Sequence, residues 1–275
     1  MPTTPSLDLN DGRRIPQLGF GVWQVPNHEA RSIVTEAIEA GYRSIDTAAI
    51  YGNEEGVGEA IRASSIPRDE LFITTKLWNT HHRRDDALRA FDESMARLRI
   101  DFVDLYLIHW PVARSETYRE AWRTLIALKE SGRVKSIGVS NFTIPHLKQI
   151  IDETGVTPVL NQIELHPRFQ QRELRVFHER NGIATEAWSP LGQGTLIRDE
   201  GLAEIGRKYG KTPAQVILRW HMEKGLLAIP KSSTPSRIRE NIDIFDFTLD
   251  AEDMSAIETF DNKGGRIGPD PDVFA

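Results

Sequence analysis

The stretch RSIDTAAIYGNEEGVG, Arg43 to Gly58, decides how this chain is read. It begins as a buried strand, yet it sets an acid, Asp46, at the end of the apolar run and a tyrosine, Tyr51, just beyond. Taken alone, the pair fits a helix cap and a half-buried aromatic as well as a chemical site, because a short carboxylate serves either purpose. The other strands have to decide between the two.

Working outward, the same rhythm recurs: a short apolar run, a polar end, then an amphipathic helix. The strands are expected in GFGVW (19–23), YRSIDTA (42–48), LFITTKL (71–77), VDLYLIH (103–109), SIGVSN (136–141), LNQIEL (160–165), ATEAWS (184–189) and LLAIPK (226–231). Between them lie helical patterns such as EARSIVTEAIEAG, with Ile33, Val34, Ala37 and Ile38 on one face and Gly41 as its stop. REAWRTLIALKESGR behaves likewise and stops at Gly132. Ahead of the first strand, LDLNDGRRIPQLG reads as a hairpin turning at Asn10-Asp11-Gly12. Eight strands separated by helices predict an α/β fold of the closed (β/α)8 TIM-barrel type, with an N-terminal hairpin. With no Pro- or Ser-rich linker and no change of composition, residues 1–275 read as one domain.

In such a barrel the C-terminal strand ends share one mouth, where chemistry collects. The strand ends here are Trp23, Asp46, Lys76, His109, Ser140 with Asn141, Glu164, Ser189 and Lys231. Ser44 and Asp46 share parity, as do Thr74 with Lys76 and Leu107 with His109, so alternation lets all three end groups face the interior. Any one of them could merely solvate a strand end, but the set is too rich in ionisable groups for that account.

Bulk properties narrow the partners. A net charge of −6 and a pI near 5.8 give no electrostatic reason to expect nucleic acid or an anionic membrane. The chain has no cysteine, which rules out disulfides and thiolate metal sites. No basic-then-apolar leader opens the sequence, and no apolar run approaches the ~20 residues that span a bilayer. A cytoplasmic protein is expected. Local motifs of other classes fail on spacing: GFGVWQ stops after two glycines, and GRKYGKT is one residue short of a phosphate loop. His81-His82 has no acidic or histidine partner at ligand spacing and reads as a solvated loop, so no metal is expected.

Asp46, Tyr51, Lys76 and His109 make chemical sense together. A tyrosine near pKa 10 is a reluctant acid at neutral pH, and a nearby ammonium is expected to lower that value. At about 4 Å and an effective dielectric near 20 such a contact is worth roughly 4 kcal/mol. Asp46 would keep Lys76 protonated and placed, and His109 would orient a carbonyl oxygen. That set would protonate an oxygen as negative charge develops on it, as hydride addition to a carbonyl requires. Asp46 is expected to matter for turnover more than for stability.

The motifs DTAAIYGNEEGVG, TTKLW, YLIHWP, IGVSNF, NQIELHP, AWSPLGQG and IPKSSTPSRIREN stand in this order along essentially the whole chain. Through them the sequence resembles the aldo-keto reductases, and within that family the bacterial 2,5-diketo-D-gluconate reductases. The resemblance implies NADPH bound without a Rossmann domain, and a catalytic tetrad of Asp46, Tyr51, Lys76 and His109. It places the nicotinamide against Ser140, Asn141, Gln162 and Trp188, with Gly21, Val22, Trp23 and Asp46 bordering the cofactor. Ser189, Leu191 and Gln193 would follow the pyrophosphate. Lys231, Ser232, Ser233, Thr234 and Arg237 would hold the adenosine 2′-phosphate, and Glu240 and Asn241 the adenine. A cationic cluster at a helix start suits a dianion on physical grounds as well.

Trp23, Tyr51, Trp78, His109 and Trp110 are expected around the substrate, with the tail GGRIGPDPDVFA closing over them. Trp23 stands where the diketogluconate reductases carry phenylalanine, and Thr234 where they carry a second phosphate-binding arginine. The expected protein is a monomeric NADPH-dependent reductase of aldehydes or ketones. Keto sugar acids such as 2,5-diketo-D-gluconate, glyoxals and other small carbonyls are candidate substrates. A non-catalytic nucleotide sensor of the same fold is the alternative, and a Schiff-base barrel enzyme acting through Lys76 is a second.

Overall fold

The computed structural model describes residues 4–262 and 264–274. Strands β1 (Ser6–Asp8) and β2 (Arg14–Pro16) pair antiparallel, Leu7 opposite Ile15. Eight parallel strands follow: β3 (Phe20–Gly21), β4 (Ser44–Asp46), β5 (Phe72–Leu77), β6 (Val103–Ile108), β7 (Val134–Ser140), β8 (Leu160–Glu164), β9 (Ala184–Trp188) and β10 (Leu227–Ala228). Each bonds to the next in chain order. Leu18 bridges Ala228, Gly19 N–H donates to Ala228 O and Gly21 N–H donates to Pro230 O, which brings the last strand back against the first. Every expected strand is present: β5, β6, β8 and β9 differ by one terminal residue, β3, β4 and β10 are shorter by three or four, and β7 begins two residues earlier. Closure fixes an inside and an outside, so parity along each strand becomes a radial direction.

The helices α1 (Asn27–Ala40), α2 (Glu54–Ala63), α3 (Arg84–Leu98), α4 (Tyr118–Glu130), α5 (Ile144–Thr154), α6 (Arg172–Arg180), α7 (Glu200–Tyr209), α8 (Pro213–Glu223), α9 (Pro235–Ile242) and α10 (Ala251–Glu258) surround the barrel. Helix α1 buries Ile33, Val34, Ala37 and Ile38 and stops at Gly41, as its pattern requires. Close packing decides the glycine at 58. A Cβ there would lie 2.0 Å from Leu98 O, so only glycine lets α2 rest on the end of α3. Among the described residues, no helix is long and apolar enough to cross a membrane.

Two apolar clusters hold the fold. The larger fills the layer between strands and helices. The smaller joins Phe72, Leu105, Leu107, Leu160 and Leu227 to Leu9 and Ile15 of the hairpin, which plugs the end of the barrel away from the mouth. The plug is pinned by a polar contact as well, the buried Ser136 Oγ donating to Asp11 Oδ2 of the hairpin at 2.8 Å, while the ionisable groups of the strand ends lie toward the mouth.

Candidate active site

Tyr51 is carried on a short 3-10 turn, Ala49–Tyr51, that leaves β4 at once. The turn is anchored from behind by Asn53, whose Oδ1 accepts from Thr47 Oγ1 (2.7 Å) while its Nδ2 donates to Val22 O and Val25 O, both at 2.9 Å. Glu54, buried at the start of α2, accepts from Thr75 Oγ1 and Arg97 Nε. The polar residues after the tyrosine therefore fix the loop, leaving the ring to project into the mouth.

Asp46 settles the question its strand raised. Its Oδ1 accepts from Lys76 Nζ at 2.6 Å, the side chains being 3% and 0% exposed, and Lys76 donates also to Thr47 O at 3.0 Å. The carboxylate caps no helix. Lys76 Nζ lies 5.1 Å from the Tyr51 ring centroid, and His109 meets that ring edge-on at 5.6 Å. All four expected residues thus converge on one spot, Asp46, Lys76 and His109 by strand parity and Tyr51 by the turn that follows β4.

Electrostatics corrects one expectation. Burial pushes the Tyr51 phenol up; the Lys76 charge pulls it down and the Asp46 charge opposes that pull, leaving the phenol above its ordinary value rather than below. Burial would push Lys76 down, but Asp46 foremost, with Tyr51 and Glu186, outweighs it, and the ammonium is held charged. His109 is driven well below its usual value by burial and by Lys76, so it is neutral.

Beside the tetrad a polar chain runs over β7, β8 and β9. Ser140 Oγ donates to Gln162 O (2.8 Å), and Asn141 Nδ2 donates to His109 O (3.0 Å) and Ser140 Oγ (3.0 Å). Trp188 Nε1 donates to Asn141 Oδ1 at 2.8 Å, which holds the indole at the rim. Gln162 Nε2 donates to Asp46 Oδ2 (2.8 Å) and to Glu186 Oε2 (2.6 Å). Asn141, Ser189 and Gln193 have φ of 64°, 49° and 51°, a left-handed backbone that costs about 1–3 kcal/mol at a non-glycine residue and gathers at functional sites. Glu186 was missed by the sequence reading. It sits in ATEAWS with the parity of Trp188, an acid at an interior position, and that parity is the signal that reveals it.

The expected phosphate residues lie farther along the rim. Lys231, Ser233, Thr234 and Arg237 are exposed around the start of α9, and Ser232 Oγ accepts from Thr234 N–H at 3.1 Å. Among the described residues neither Lys231 nor Arg237 has a carboxylate partner, whereas Arg239, two residues on, pairs with Glu36. Glu240 accepts from Thr212 Oγ1 at 2.6 Å and Asn241 is buried. Gly21 ends β3 and Val22 follows it, its N–H donating to Asp46 O, and Leu191 packs on the core. His82 is not solvated as expected: it is 2% exposed, bonded through Nδ1 to Thr117 Oγ1, and burial takes its pKa down to about 4.

Three tryptophans wall the mouth. Trp23 is 44% exposed, Trp78 stands edge-on to His109 at 5.2 Å, and Trp110 is buried beneath Phe274, ring centroids 4.6 Å apart. Phe274 belongs to the tail, which therefore covers this side as expected. Glu164, at the end of β8, is its latch: Ile267 and Gly268 N–H donate to its two oxygens at 2.7 and 2.8 Å, with His166 Nε2 3.0 Å from Oε1. A Cβ on Gly268 would lie 2.4 Å from Trp188 Cη2 and 2.9 Å from Glu164 Oε2. Gly268→Ala is expected to lift the tail and raise the KM for substrate several-fold with the melting temperature nearly unchanged. An unaltered KM would show that the tail does not border the substrate.

A family model described as "Aldo/keto reductase family" matches residues 17–262. Methylglyoxal reductase DkgA of Escherichia coli K12 is 53% identical, over 98% of this chain and 97% of its own. A crystal structure of an aldo/keto reductase from Brucella melitensis is 61% identical with a TM-score of 0.92, over 94% of this chain and 98% of its own. A Gox0644 point variant, solved in complex with NADPH, is 51% identical with a TM-score of 0.96 over 100% of both chains.

Proposed function

The chain belongs to the aldo/keto reductase family and is an NADP-dependent oxidoreductase; from that premise we propose that it reduces small aldehydes and ketones to alcohols, with Tyr51 as the proton donor. The observation that carries this reading is the buried Asp46–Lys76 ion pair set beneath Tyr51 and His109. Glyoxals, keto sugar acids and other small carbonyls are the proposed substrate class, in keeping with the methylglyoxal reductases it resembles.

The chain's residues fit a phosphorylated dinucleotide. On the rim at the start of α9 stand two cations without carboxylate partners among the described residues, Lys231 and Arg237, for a 2′-phosphate. Beside the tetrad, the half-exposed Trp188 indole offers a stacking face, and Ser140, Asn141 and Gln162 offer polar groups for a carboxamide. NADPH, when bound, supplies the hydride.

The protein supplies the proton and its control. His109 is neutral, and its Nδ1 is buried without a partner among the described residues. A lone pair is cheaper to leave there than an N–H, so the proton belongs on Nε2, which donates to the substrate carbonyl oxygen. Tyr51 holds its proton at neutral pH because burial raises its pKa. As hydride reaches the carbonyl carbon, negative charge grows on the oxygen and the Tyr51 O–H bond breaks toward it. The electron pair left on the phenolate is stabilised by Lys76, whose charge Asp46 maintains. A Schiff-base role would need Lys76 as a free amine, and its neighbours favour the opposite state. A sensor has no use for a proton relay. Oxidation of NADPH in the presence of methylglyoxal and of a keto sugar acid tests the reading; no oxidation with any small carbonyl would favour the sensor.

Arg237→Ala is expected to weaken NADPH about ten- to a hundredfold and NADH far less, since a charge-assisted hydrogen bond is worth roughly 1.5–3 kcal/mol. Equal losses for the two cofactors, measured by fluorescence titration, would make Arg237 structural.

A further inference from the structure

Gln162 stands between two buried carboxylates. Its amide has two N–H bonds, and Nε2 donates to Asp46 Oδ2 at 2.8 Å and Glu186 Oε2 at 2.6 Å. With acceptors on both sides of the nitrogen, turning the amide over would set its oxygen against two carboxylates. Gln162 Oε1 is therefore fixed as the free end, and it accepts from no donor among the described residues. Asp46 alone would leave one N–H unsatisfied, and the amide would gain a second orientation at little cost. The proposed tetrad does not use Glu186, which lies 3% exposed in the barrel interior.

We propose that Glu186 is a positioning residue for the cofactor: together with Asp46 it clamps the Gln162 amide so that Oε1 is presented to the N–H donor of the nicotinamide carboxamide. This rests on the reading of Gln162 as a nicotinamide ligand. The charge balance favours a neutral Glu186. In register β9 sets it between Gln162 on β8 and Leu227 on β10, and across the barrel the ionisable groups that act on it are Asp46 and Lys76. One ammonium cannot neutralise two carboxylates that bond to one nitrogen, and Asp46 holds the ammonium directly. Burial, with the Asp46 charge, pushes Glu186 up to about 8 against Gln162 and Lys76. A protonated carboxyl still accepts from Gln162 through its carbonyl oxygen, so the clamp works at neutral pH. A cofactor seated on the mouth excludes water and disfavours the ionised carboxyl further. Affinity for NADPH should therefore fall as pH rises past about 8.

The test is binding to the full-length protein, read by tryptophan quenching, with NADPH and with adenosine 2′,5′-bisphosphate, which lacks the nicotinamide. Glu186→Val should weaken NADPH about tenfold, the worth of one lost hydrogen bond, and leave the bisphosphate unchanged. Glu186→Gln keeps an acceptor oxygen, so it should match the wild type at neutral pH and lose the alkaline fall in NADPH affinity. Gln162→Ala with Glu186→Val should bind no worse than Gln162→Ala alone, because both act through one contact. An equal loss for the bisphosphate, a glutamine variant as weak as the valine one, or additive losses would overturn the positioning role. If the valine variant does not fold, the glutamine variant decides: a retained alkaline fall overturns the proposal and its disappearance supports it. A wild type that binds the bisphosphate as tightly as NADPH overturns the nicotinamide reading of Gln162 itself, and one that binds neither overturns the proposed cofactor.

Discussion

Tyr51→Phe is expected to lower kcat for carbonyl reduction by about two to four orders of magnitude, the range a positioned general acid commands. The NADPH dissociation constant should stay within about twofold. Two features of the site separate these effects. Lys76 keeps its bonds to Asp46 and to Thr47 O when the hydroxyl is removed, and the ring keeps its packing on the core and against His109. The melting temperature should accordingly move by no more than about 2 °C. What disappears is only the proton that the growing alkoxide needs. Retention of a tenth of the rate would point to a different acid. His109 is the neighbour to test next, although its depressed pKa makes it a poor one at neutral pH.

The tetrad was legible because barrel geometry converts strand parity into direction. Asp46, Lys76 and His109 each close an apolar run with inward parity, and no other information is needed to set them in one mouth. Residues whose role depends on a partner several strands away were less legible. Glu186 lies two positions before the strand end; its parity with Trp188 turns it inward but does not name its partner. Only the register Ser140–Gln162–Glu186 shows that an amide on β8 links it to Asp46. Glu164 was recognised as a strand end, but its work is with backbone N–H groups more than a hundred residues away. His82 misled for the converse reason, since a polar pair after a turn looks solvated until α4 folds over it. Tyr51 shows a limit of pairwise reasoning: the ammonium acts in the expected direction, and burial exceeds it.

That balance changes the outlook for Asp46→Asn. An asparagine keeps the shape of the side chain but offers one oxygen and one NH2 where the aspartate offers two oxygens. One oxygen faces Lys76 Nζ and the other Gln162 Nε2, both donors, so one of the contacts becomes donor against donor. Removing one partner of a buried ion pair costs about 3–5 kcal/mol. In a chain of this size that corresponds to a fall of roughly 5–15 °C in melting temperature, more than a strand-end carboxylate was expected to show. Glu186 should soften the loss. The Asp46 charge helps to hold it protonated, so in the variant it ionises more readily and supplies a second-best counter-charge to Lys76. Asp46→Asn combined with Glu186→Gln removes that recourse, and it should melt well below Asp46→Asn alone although Glu186→Gln by itself is mild. Turnover follows the charge on Lys76. Burial is the largest influence on that ammonium and drives it toward the free amine once Asp46 is gone, so the phenolate forms without its cation. A fall in kcat of about a hundredfold or more is expected, with activity declining at a lower pH than in the wild type. A melting temperature within 2 °C of wild type and an unshifted pH profile would mean that Asp46 is dispensable to Lys76, and the proton relay would have to be redrawn around Thr47 O and Glu186.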